Sequence, residues 1–368
     1  MSMDAGFPLV EVSGSPYERG VQHGRAVPSR VQGSVALYRD QLARRGVSVA
    51  TTNMLARNVV PKICAFDETY FDEMKGIAHG AGVSIEDVIL VNCRTEMMYG
   101  HAALGAARAA LDDGCTGLIV MPAASETGRL IHAHNWDWRD ACVDTGIILK
   151  VKKNGGRPDM LMFTEAGTLG RHGFNEAGLS LSGNFLTSDR DYKGDADVPL
   201  GLIRRKMLEN ESMTSAMRML FETRRFCSNN LMLAHAEGEA VNFECAPDEV
   251  FWITPEDNIL VHANHWISQP ARAKLVDLGL ATTPDSIYRQ RRVTETLLAA
   301  NGKIGWEVVK NALADEFGKP EAVLSWPSQA PHNSVSCTVA TTLMDPGAKT
   351  MWVARKPYES RNFIEYRL

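Results

Sequence analysis

The chain of 368 residues lacks the features that mark several classes of protein. Lys and Arg number 39 against 44 Asp and Glu, which gives a net charge of −5 at pH 7. Because basic residues are not in excess, we expect no nucleic-acid or membrane partner and a small or neutral ligand instead. The sequence has no run of eighteen apolar residues, and Asp4 and Glu11 stand where a signal peptide needs a basic start and an apolar stretch. We therefore expect a cytoplasmic protein.

Cysteine is also sparse. The seven cysteines are scattered and form no Cys-x-x-Cys pair, so neither a disulfide framework nor a zinc knuckle is indicated. His132 and His134 lie two apart, and His262 and His265 three apart, but no cysteine pair or glutamate-containing motif completes a metal site. We therefore expect hydrogen-bonded structural histidines, no metal and no cofactor.

The first hundred residues have helical signals. Ser15-Pro16-Tyr17-Glu18 is a capping box with proline at the first helical position, which predicts a helix running into the thirties or forties. Helical periodicity covers about 52–79 and ends at Gly80-Ala81-Gly82. Ser84 and Asp87 then predict a helix through about Tyr99.

From Cys115 onward the pattern changes to short apolar runs separated by turn signals, the first five of which predict an antiparallel meander. Strands are predicted at about 115–122, 129–135, 145–152, 159–164, 179–185, 229–235, 240–246, 250–254, 259–262, 336–344 and 349–355. Helices are predicted at about 199–210, 213–224, 285–299 and 304–316. Runs of strands followed by paired helices favour an α+β layered fold over a doubly wound parallel sheet. The Ala-rich and then acidic region 101–113 is predicted to be an exposed loop.

The chemical signal of the sequence is Gly114-Cys115 at the start of an apolar run. Glycine leaves its carbonyl unshielded, so the following thiol can attack that carbonyl, move the acyl group from nitrogen to sulfur and allow water to cut the chain. The new α-amine of Cys115, with an ordinary pKa of about 7.7–8.0, would then act as general base for its own thiol. The alternative for these two residues alone is a turn followed by a packed cysteine.

Several further motifs accompany this pair. They are Pro16-Tyr17-Glu18-Arg19-Gly20, Arg94-Thr95-Glu96, His134-Asn135-Trp136-Asp137-Trp138, Phe163-Thr164-Glu165-Ala166-Gly167, Gly173-Phe174-Asn175-Glu176-Ala177-Gly178, Gly183-Asn184, His262-Ala263-Asn264-His265 and Pro284-Asp285-Ser286-Ile287-Tyr288-Arg289. In this order they resemble the acyl-coenzyme A:6-aminopenicillanic acid acyltransferase (isopenicillin-N acyltransferase) family of N-terminal-nucleophile hydrolases. The resemblance extends over nearly the whole chain.

This resemblance implies a fold and a processing event. The expected fold is a four-layer αββα sandwich. Cleavage between Gly114 and Cys115 would give a mainly helical chain, 1–114, and a catalytic chain, 115–368, which stay associated as one compact unit. A higher oligomer is left open.

The resemblance also implies site residues. Cys115 matches the nucleophile, Asp137 the carboxylate that orients its amine, and Asn264 the oxyanion-hole donor. Further supporting or substrate-binding candidates are Thr116, His134, Asn135, Glu165, Asn184 and Ser334. The family pattern has an arginine after the serine, whereas Val335 follows Ser334 here, which weakens the case for a penicillin-nucleus acceptor.

Some of these residues have ordinary structural explanations. Asp137 could equally cap a turn, and Asn184 could satisfy a turn at the end of a strand. Thr116 could be an ordinary β-branched residue of a strand. Arg289 and Arg292 recur in the family's helix, but their spacing is more typical of a solvated or salt-bridged face.

The function predicted from these residues is hydrolysis of the amide of a small N-acyl amine or amino-acid derivative through an acyl-cysteine thioester. The nearest alternative is an acyltransferase that moves an acyl group from acyl-CoA, another acyl-thioester or an amide donor to an amine, with acyl-CoA entering only as a substrate. An unprocessed, non-catalytic ligand-binding protein and a conventional Cys-His protease are the remaining alternatives.

Overall fold

The computed structural model describes residues 6–100, 114–153, 156–194, 197–330 and 334–368. The loop predicted at 101–113 lies outside the described residues. The α-helices are α1 (Pro16–Ala26), α2 (Pro28–Arg44), α3 (Val49–Ala81), α4 (Ile85–Asn92), α5 (Arg94–Gly100), α6 (Leu200–Leu208), α7 (Met213–Glu222), α8 (Gln269–Lys274), α9 (Asp285–Leu298) and α10 (Trp306–Leu313). The strands are β1 (Leu9–Val12), β2 (Cys115–Val120), β3 (Ile131–Arg139), β4 (Gly146–Val151), β5 (Met160–Glu165), β6 (His172–Asn175), β7 (Leu179–Ser182), β8 (Asn229–His235), β9 (Glu239–Cys245), β10 (Val250–Ile253), β11 (Ile259–His262), β12 (Ser328–Ala330), β13 (Ser334–Asp345), β14 (Thr350–Arg355) and β15 (Phe363–Arg367).

The strands of the described chain form two sheets. One follows the order β1-β4-β5-β6-β7-β8-β9-β10, and the other follows β11-β2-β3-β13-β14-β15, with β12 paired to β13. Apolar side chains of β2 and β8, including Ile119 and Met232, form a core between the sheets. Helices α6 and α7 pack against the first sheet, and α9 and α10 against the second. The predicted four-layer αββα sandwich is confirmed.

The single meander predicted for the first five strands is wrong. Strands β2 and β3 pair with each other in the second sheet, whereas β4 to β7 are consecutive neighbours in the first. The chain changes sheet through a 3₁₀ turn at Asp140–Val143. A short apolar run between turn signals predicts each strand but cannot show which sheet it joins. The pattern also missed β1, β6, β12, β15 and α8.

The helical start of the chain follows its predicted caps. Ser15 and Glu18 form the expected capping box at α1, and Gly82 ends α3 in the left-handed conformation at φ 67°. The predicted long first helix is divided, because Val27 leaves the helical conformation ahead of Pro28 and α2 begins there.

Glycines allow α1 and α3 to pack unusually closely. A Cβ atom on Gly20 would lie 2.0 Å from the carbonyl oxygen of Glu73, and one on Gly76 would lie 2.2 Å from the carbonyl oxygen of Tyr17. Any larger residue at either position would force the helices apart. This contact packs α1, near the start of the chain, directly against α3.

Within the described segments, we find no helix that combines the length and the apolar composition needed to cross a bilayer.

Candidate active site

Strand register brings the predicted nucleophile and its partners together. In the antiparallel β11–β2 pair His262 lies opposite Gly117, so Asn264, two residues beyond His262, reaches the level of Cys115. In the β2–β3 pair Cys115 lies opposite Trp136, so Asp137 reaches the level of Gly114. The end of the central hairpin and the end of β11 thus meet at Gly114–Cys115.

The side-chain amide of Asn264 has a defined orientation. Its Oδ1 accepts from the backbone nitrogen of Cys115 at 2.8 Å and from Arg289 Nη2 at 2.9 Å. Both neighbours are donors, so the amide oxygen must face them. Its Nδ2 donates to the carbonyl oxygen of Phe185 at 3.0 Å. Asn264 is 3% exposed, so these contacts lie in a water-poor environment where they are strong.

Arg289 is the central cation of the site. Its Nη1 donates to the carbonyl oxygen of Cys115 at 2.8 Å and to Thr116 Oγ1 at 3.0 Å. Its Nε donates to Asp285 Oδ2, one helical turn earlier on α9, at 2.6 Å. The side chain is 1% exposed, so Arg289 is not part of a solvated face, whereas its expected salt bridge is present as the pair with Asp285. Arg292, one turn later, does form such a surface pair with Asp315.

Asp137 lies directly against the Gly114–Cys115 bond. Its backbone nitrogen donates to the carbonyl oxygen of Gly114 at 2.9 Å. Thr338 Oγ1 donates to Asp137 Oδ1 at 2.6 Å and so fixes the carboxylate. A Cβ atom built on Gly114 would lie 2.9 Å from Asp137 Oδ2, so only glycine fits beside this carboxylate without displacing it.

Asn184 holds the segment that carries Asn264. Its Nδ2 donates to the carbonyl oxygens of His262 and Ala263, both at 2.8 Å, and its Oδ1 lies 2.9 Å from His134 Nε2. Since the carboxamide oxygen can only accept, His134 Nε2 is the donor. Burial, together with the nearby Arg171 charge, holds the pKa of His134 well below its usual range. A neutral His134 therefore positions Asn184 through its Nε2–H group.

The other histidines of the predicted pairs have hydrogen-bonding partners. His132 lies between Ser180 Oγ and Ser182 Oγ, at 2.9 and 2.8 Å. His262 Nε2 lies 2.9 Å from Glu244 Oε1. The carboxylate of Glu244 also accepts from the backbone nitrogens of Ile267 and Ser268. His265 contacts Ser286 Oγ at 2.7 Å.

Cys115 lines a cavity that is rich in charge. Its charged lining residues are Arg94, Glu96, Glu165, Arg171 and Arg204. Arg94 Nε donates to Glu165 Oε2 at 2.9 Å, and the other carboxylate oxygen accepts from Tyr38. Burial raises the pKa of Glu96, whose Oε1 accepts from a backbone nitrogen at the start of α6. Glu165, a predicted supporting residue, is thus part of the wall of the site.

Three predicted residues lie apart from the thiol. Asn135 lies on the face of β3 opposite to Trp136, where its Nδ2 binds the carbonyl oxygens of Leu313 and Val323. Thr116 likewise faces the outer helices, and its one described role is to accept from Arg289. Ser334 is the first residue of β13 and stands four residues before Thr338. At a rise of about 3.3 Å per residue, the two positions lie about 13 Å apart along the strand.

Sequence reasoning missed two residues that hold Cys115, Asp137 and Asn264 in place: Arg289 was not predicted as a site residue, and Thr338 was not predicted at all. Asp285 and Arg289 stand four apart on a predicted helix, which indicates an ion pair but not its burial. Thr338 has no distinguishing signal, because β-branched residues are common in strands.

Comparison with known proteins finds a matching family and a related sequence. Residues 124–356 match the sequence profile of the acyl-coenzyme A:6-aminopenicillanic acid acyl-transferase family. The match begins downstream of Cys115 and contains Asp137, Asn264 and Arg289. The chain is also 27% identical over 297 residues to the acyl-coenzyme A:6-aminopenicillanic-acid-acyltransferase 40 kDa form of Emericella nidulans, covering 80% of this chain and 78% of the relative.

Two solved structures are also similar. A variant of conjugated bile acid hydrolase from Clostridium perfringens aligns with a TM-score of 0.50 at 14% identity, over 69% of this chain and 92% of that chain. Penicillin V acylase from Agrobacterium tumefaciens aligns with a TM-score of 0.46 at 15% identity, over 69% of this chain and 86% of that chain. The likeness to the bile acid hydrolase supports the fold.

Proposed function

The chain belongs to the acyl-coenzyme A:6-aminopenicillanic acid acyl-transferase family, and from this premise we propose that it is a cysteine amidohydrolase activated by cutting its own Gly114–Cys115 bond. The observation that carries the proposal is the convergence of Asp137 and Asn264 on that one peptide bond, while Arg289 binds the next carbonyl oxygen, that of Cys115.

In self-cleavage the thiol of Cys115 attacks the carbonyl carbon of Gly114. Negative charge develops on the Gly114 oxygen, which already accepts from the backbone nitrogen of Asp137 at 2.9 Å. The C–N bond then breaks, the nitrogen takes up a proton and a C–S thioester remains. Water hydrolyses the thioester, which releases the Gly114 carboxylate and restores the thiol on a chain that begins at Cys115.

In the mature enzyme the new α-amine of Cys115 takes the thiol proton, and the sulfur attacks the amide carbonyl of the substrate. The proton passes to the departing amine, and water hydrolyses the acyl-cysteine thioester. Asn264 Nδ2 carries two hydrogens, and one binds Phe185. The second serves as the oxyanion donor. Asp137, fixed by Thr338, orients the new ammonium group.

The two chains produced, 1–114 and 115–368, stay associated in this proposal. The largest hydrophobic core contains buried residues from both, including Tyr38 and Met74 from the first and Trp138 and Phe163 from the second. Arg94 of the first chain also binds Glu165 of the second. Separation would expose this shared apolar surface to water.

Acyl transfer to an amine is the second candidate, and it is favoured by the activity named for the Emericella nidulans relative. Hydrolysis needs only water at the thioester, whereas transfer needs a pocket for the acceptor. Release of amine from amides without a thioester donor would support hydrolysis. Consumption of an acyl-CoA that accelerates when amine is added would support transfer.

The direct test is to trap the acyl-enzyme. Purified protein is mixed with a panel of N-acyl amides and acyl-thioesters, quenched in acid, and its fragments weighed by mass spectrometry. We expect one acyl mass added to the fragment that begins at Cys115. The Cys115→Ala variant should stay uncut and unlabelled, whereas Cys245→Ala, which removes a buried thiol from β9, should label normally. Labelling that persists in Cys115→Ala, or its loss in Cys245→Ala, would contradict the proposal.

A further inference from the structure

The segment that carries Asn264 is held by side chains rather than by secondary structure. It connects β11 to α8 and belongs to neither. Asp277 Oδ2 accepts from the backbone nitrogen of Trp266 at 3.0 Å, and the carboxylate of Glu244 accepts from the two nitrogens that follow. A backbone nitrogen that leaves water without joining a helix or sheet needs such a partner. The course of this segment is therefore set by contacts with distant residues.

Ser286 is the residue that holds Asn264 itself. Its Oγ accepts from the backbone nitrogen of Asn264 at 2.7 Å, and its exposure is 0%. Ser286 is the second residue of α9, yet the described partners of its hydroxyl include no group of that helix. The hydroxyl is thus committed to the segment that carries Asn264 and not to the start of α9.

His265 completes this contact. Its Nδ1 lies 2.7 Å from Ser286 Oγ. Burial lowers the pKa of His265 to about 3, so the ring is neutral at pH 7 and one of its nitrogens is an acceptor. The serine oxygen accepts from Asn264, and its own hydrogen has no other acceptor within the described part of the chain, so the hydroxyl donates to Nδ1. Because the hydroxyl donates to the ring, its oxygen becomes a better acceptor for the Asn264 nitrogen.

Helix α9 therefore fixes Asn264 at two points. Arg289 binds the side-chain oxygen at 2.9 Å, and Ser286 binds the backbone nitrogen at 2.7 Å. An oxyanion donor has its full effect only when it lies about 2.7–3.1 Å from the oxyanion. A misplacement of about 1 Å can cost about 10²-fold in rate. A group that fixes the backbone of Asn264 thus controls the direction of its Nδ2.

We propose that Ser286 and His265 are positioning residues that hold Asn264 in the orientation that oxyanion binding needs. The inference rests on the proposed function, because it assigns further residues to that same site. Neither residue touches the substrate, and both act through the backbone of Asn264. Loss of the Ser286 hydroxyl should therefore weaken stabilisation of the transition state and leave substrate binding intact.

The kinetic test compares processed Ser286→Ala with the processed wild type and with Ser34→Ala. Ser34 is the matched control, because it is also fully buried on a helix, and its hydroxyl donates to the carbonyl oxygen of Arg30 within that helix. The probes are the 4-nitroanilides of acetic, pentanoic and phenylacetic acid. In Ser286→Ala, kcat should fall by at least about tenfold while KM stays nearly constant. Ser34→Ala should keep both values, and a wild-type kcat in Ser286→Ala would overturn the proposal.

Two variants of His265 test the second contact. His265→Leu removes the acceptor, whereas His265→Asn keeps an acceptor oxygen near the position of Nδ1. We expect kcat to fall in His265→Leu and to be largely restored in His265→Asn, a rescue that a loss of packing alone would not produce. Equal kcat values in these two variants would overturn the role of His265.

Hydrogen exchange of the Asn264 amide tests the contact without any turnover. It is followed by mass spectrometry with residue-resolving fragmentation in the wild type, Ser286→Ala and Ser34→Ala. The amide should exchange about tenfold faster in Ser286→Ala alone. Faster exchange in that variant, with none of the probes hydrolysed by the wild type, would keep the positioning contact and reject the amidohydrolase. Turnover by the wild type with equal exchange in all three proteins would reject the positioning role and keep the amidohydrolase.

Discussion

Replacing Arg289 by methionine removes the cation that connects the Gly114–Cys115 segment to Asn264. Methionine has a similar length but no donor, so three contacts within the site are lost at once: those to the Cys115 carbonyl, Thr116 Oγ1 and Asn264 Oδ1. Asp285, the ion-pair partner of Arg289, is left without this arginine. The change therefore tests whether this buried cation holds the site together.

The expected loss of stability follows from burial. Hydrogen bonds from a charged group contribute about 1.5–3 kcal/mol each, and breaking a buried ion pair costs about 3–5 kcal/mol. Because these contributions overlap, we expect the free energy of unfolding to fall by about 3–5 kcal/mol. Arg292→Met is the matched control, since it removes the same residue type from the same helix. Its partially exposed pair with Asp315 should contribute only about 0–1 kcal/mol.

Two assays measure the outcome. Urea unfolding is followed in a Cys115→Ala background. We expect this chain to stay intact, and the substitution keeps the backbone atoms of residue 115 that contact Arg289 and Asn264. Self-cleavage is followed on denaturing gels in the Cys115 background, where Arg289→Met should slow the appearance of two fragments. Equal stability and equal cleavage rates for Arg289→Met and Arg292→Met would refute this account of the site.

Two further predictions concern close packing and pH. Gly114→Ala should slow self-cleavage, because its Cβ would lie 2.9 Å from Asp137 Oδ2. Gly201→Ala is the control, since its Cβ would have no neighbour nearer than 3.5 Å, and it should be processed like the wild type. Equal cleavage rates of the two variants on denaturing gels would contradict this prediction. His23 accepts a hydrogen bond from the backbone nitrogen of Gly167, and burial lowers the pKa of His23 to about 4. The folded ring stays neutral while the unfolded one gains a proton below about pH 6.5, so stability falls between pH 6.5 and 4. Urea titrations of His23→Gln should show a fall in the free energy of unfolding between pH 6.5 and 4 that is about 3 kcal/mol smaller than in the wild type. An unchanged pH dependence would contradict the assignment of this loss to His23.

Features that depend on near neighbours were predictable from the sequence. The capping boxes at Ser15 and Ser84 involve residues three apart, and both are present. Gly82 ends α3 because a left-handed residue is needed there. The resemblance named Asp137 and Asn264, and the strand register now explains why both reach the Gly114–Cys115 bond.

Features that depend on tertiary packing were not predictable in this way. The division of the strands into two sheets depends on which apolar faces meet, and each strand has the same short apolar run in either arrangement. Arg289 resembles an ordinary surface arginine until α9 is packed over the end of β2, where it becomes 1% exposed. Asn135 was predicted as a site residue but lies away from Cys115, because alternate residues of a β-strand point to opposite faces of the sheet.

The most direct test of the central claim is the intact mass of freshly purified wild-type protein under denaturing conditions. The account predicts two species, residues 1–114 and a chain that begins at Cys115, and a single uncut species for Cys115→Ala. A wild-type protein that remains one full-length chain while it turns over amides, or a new N-terminus at any other residue, would contradict it.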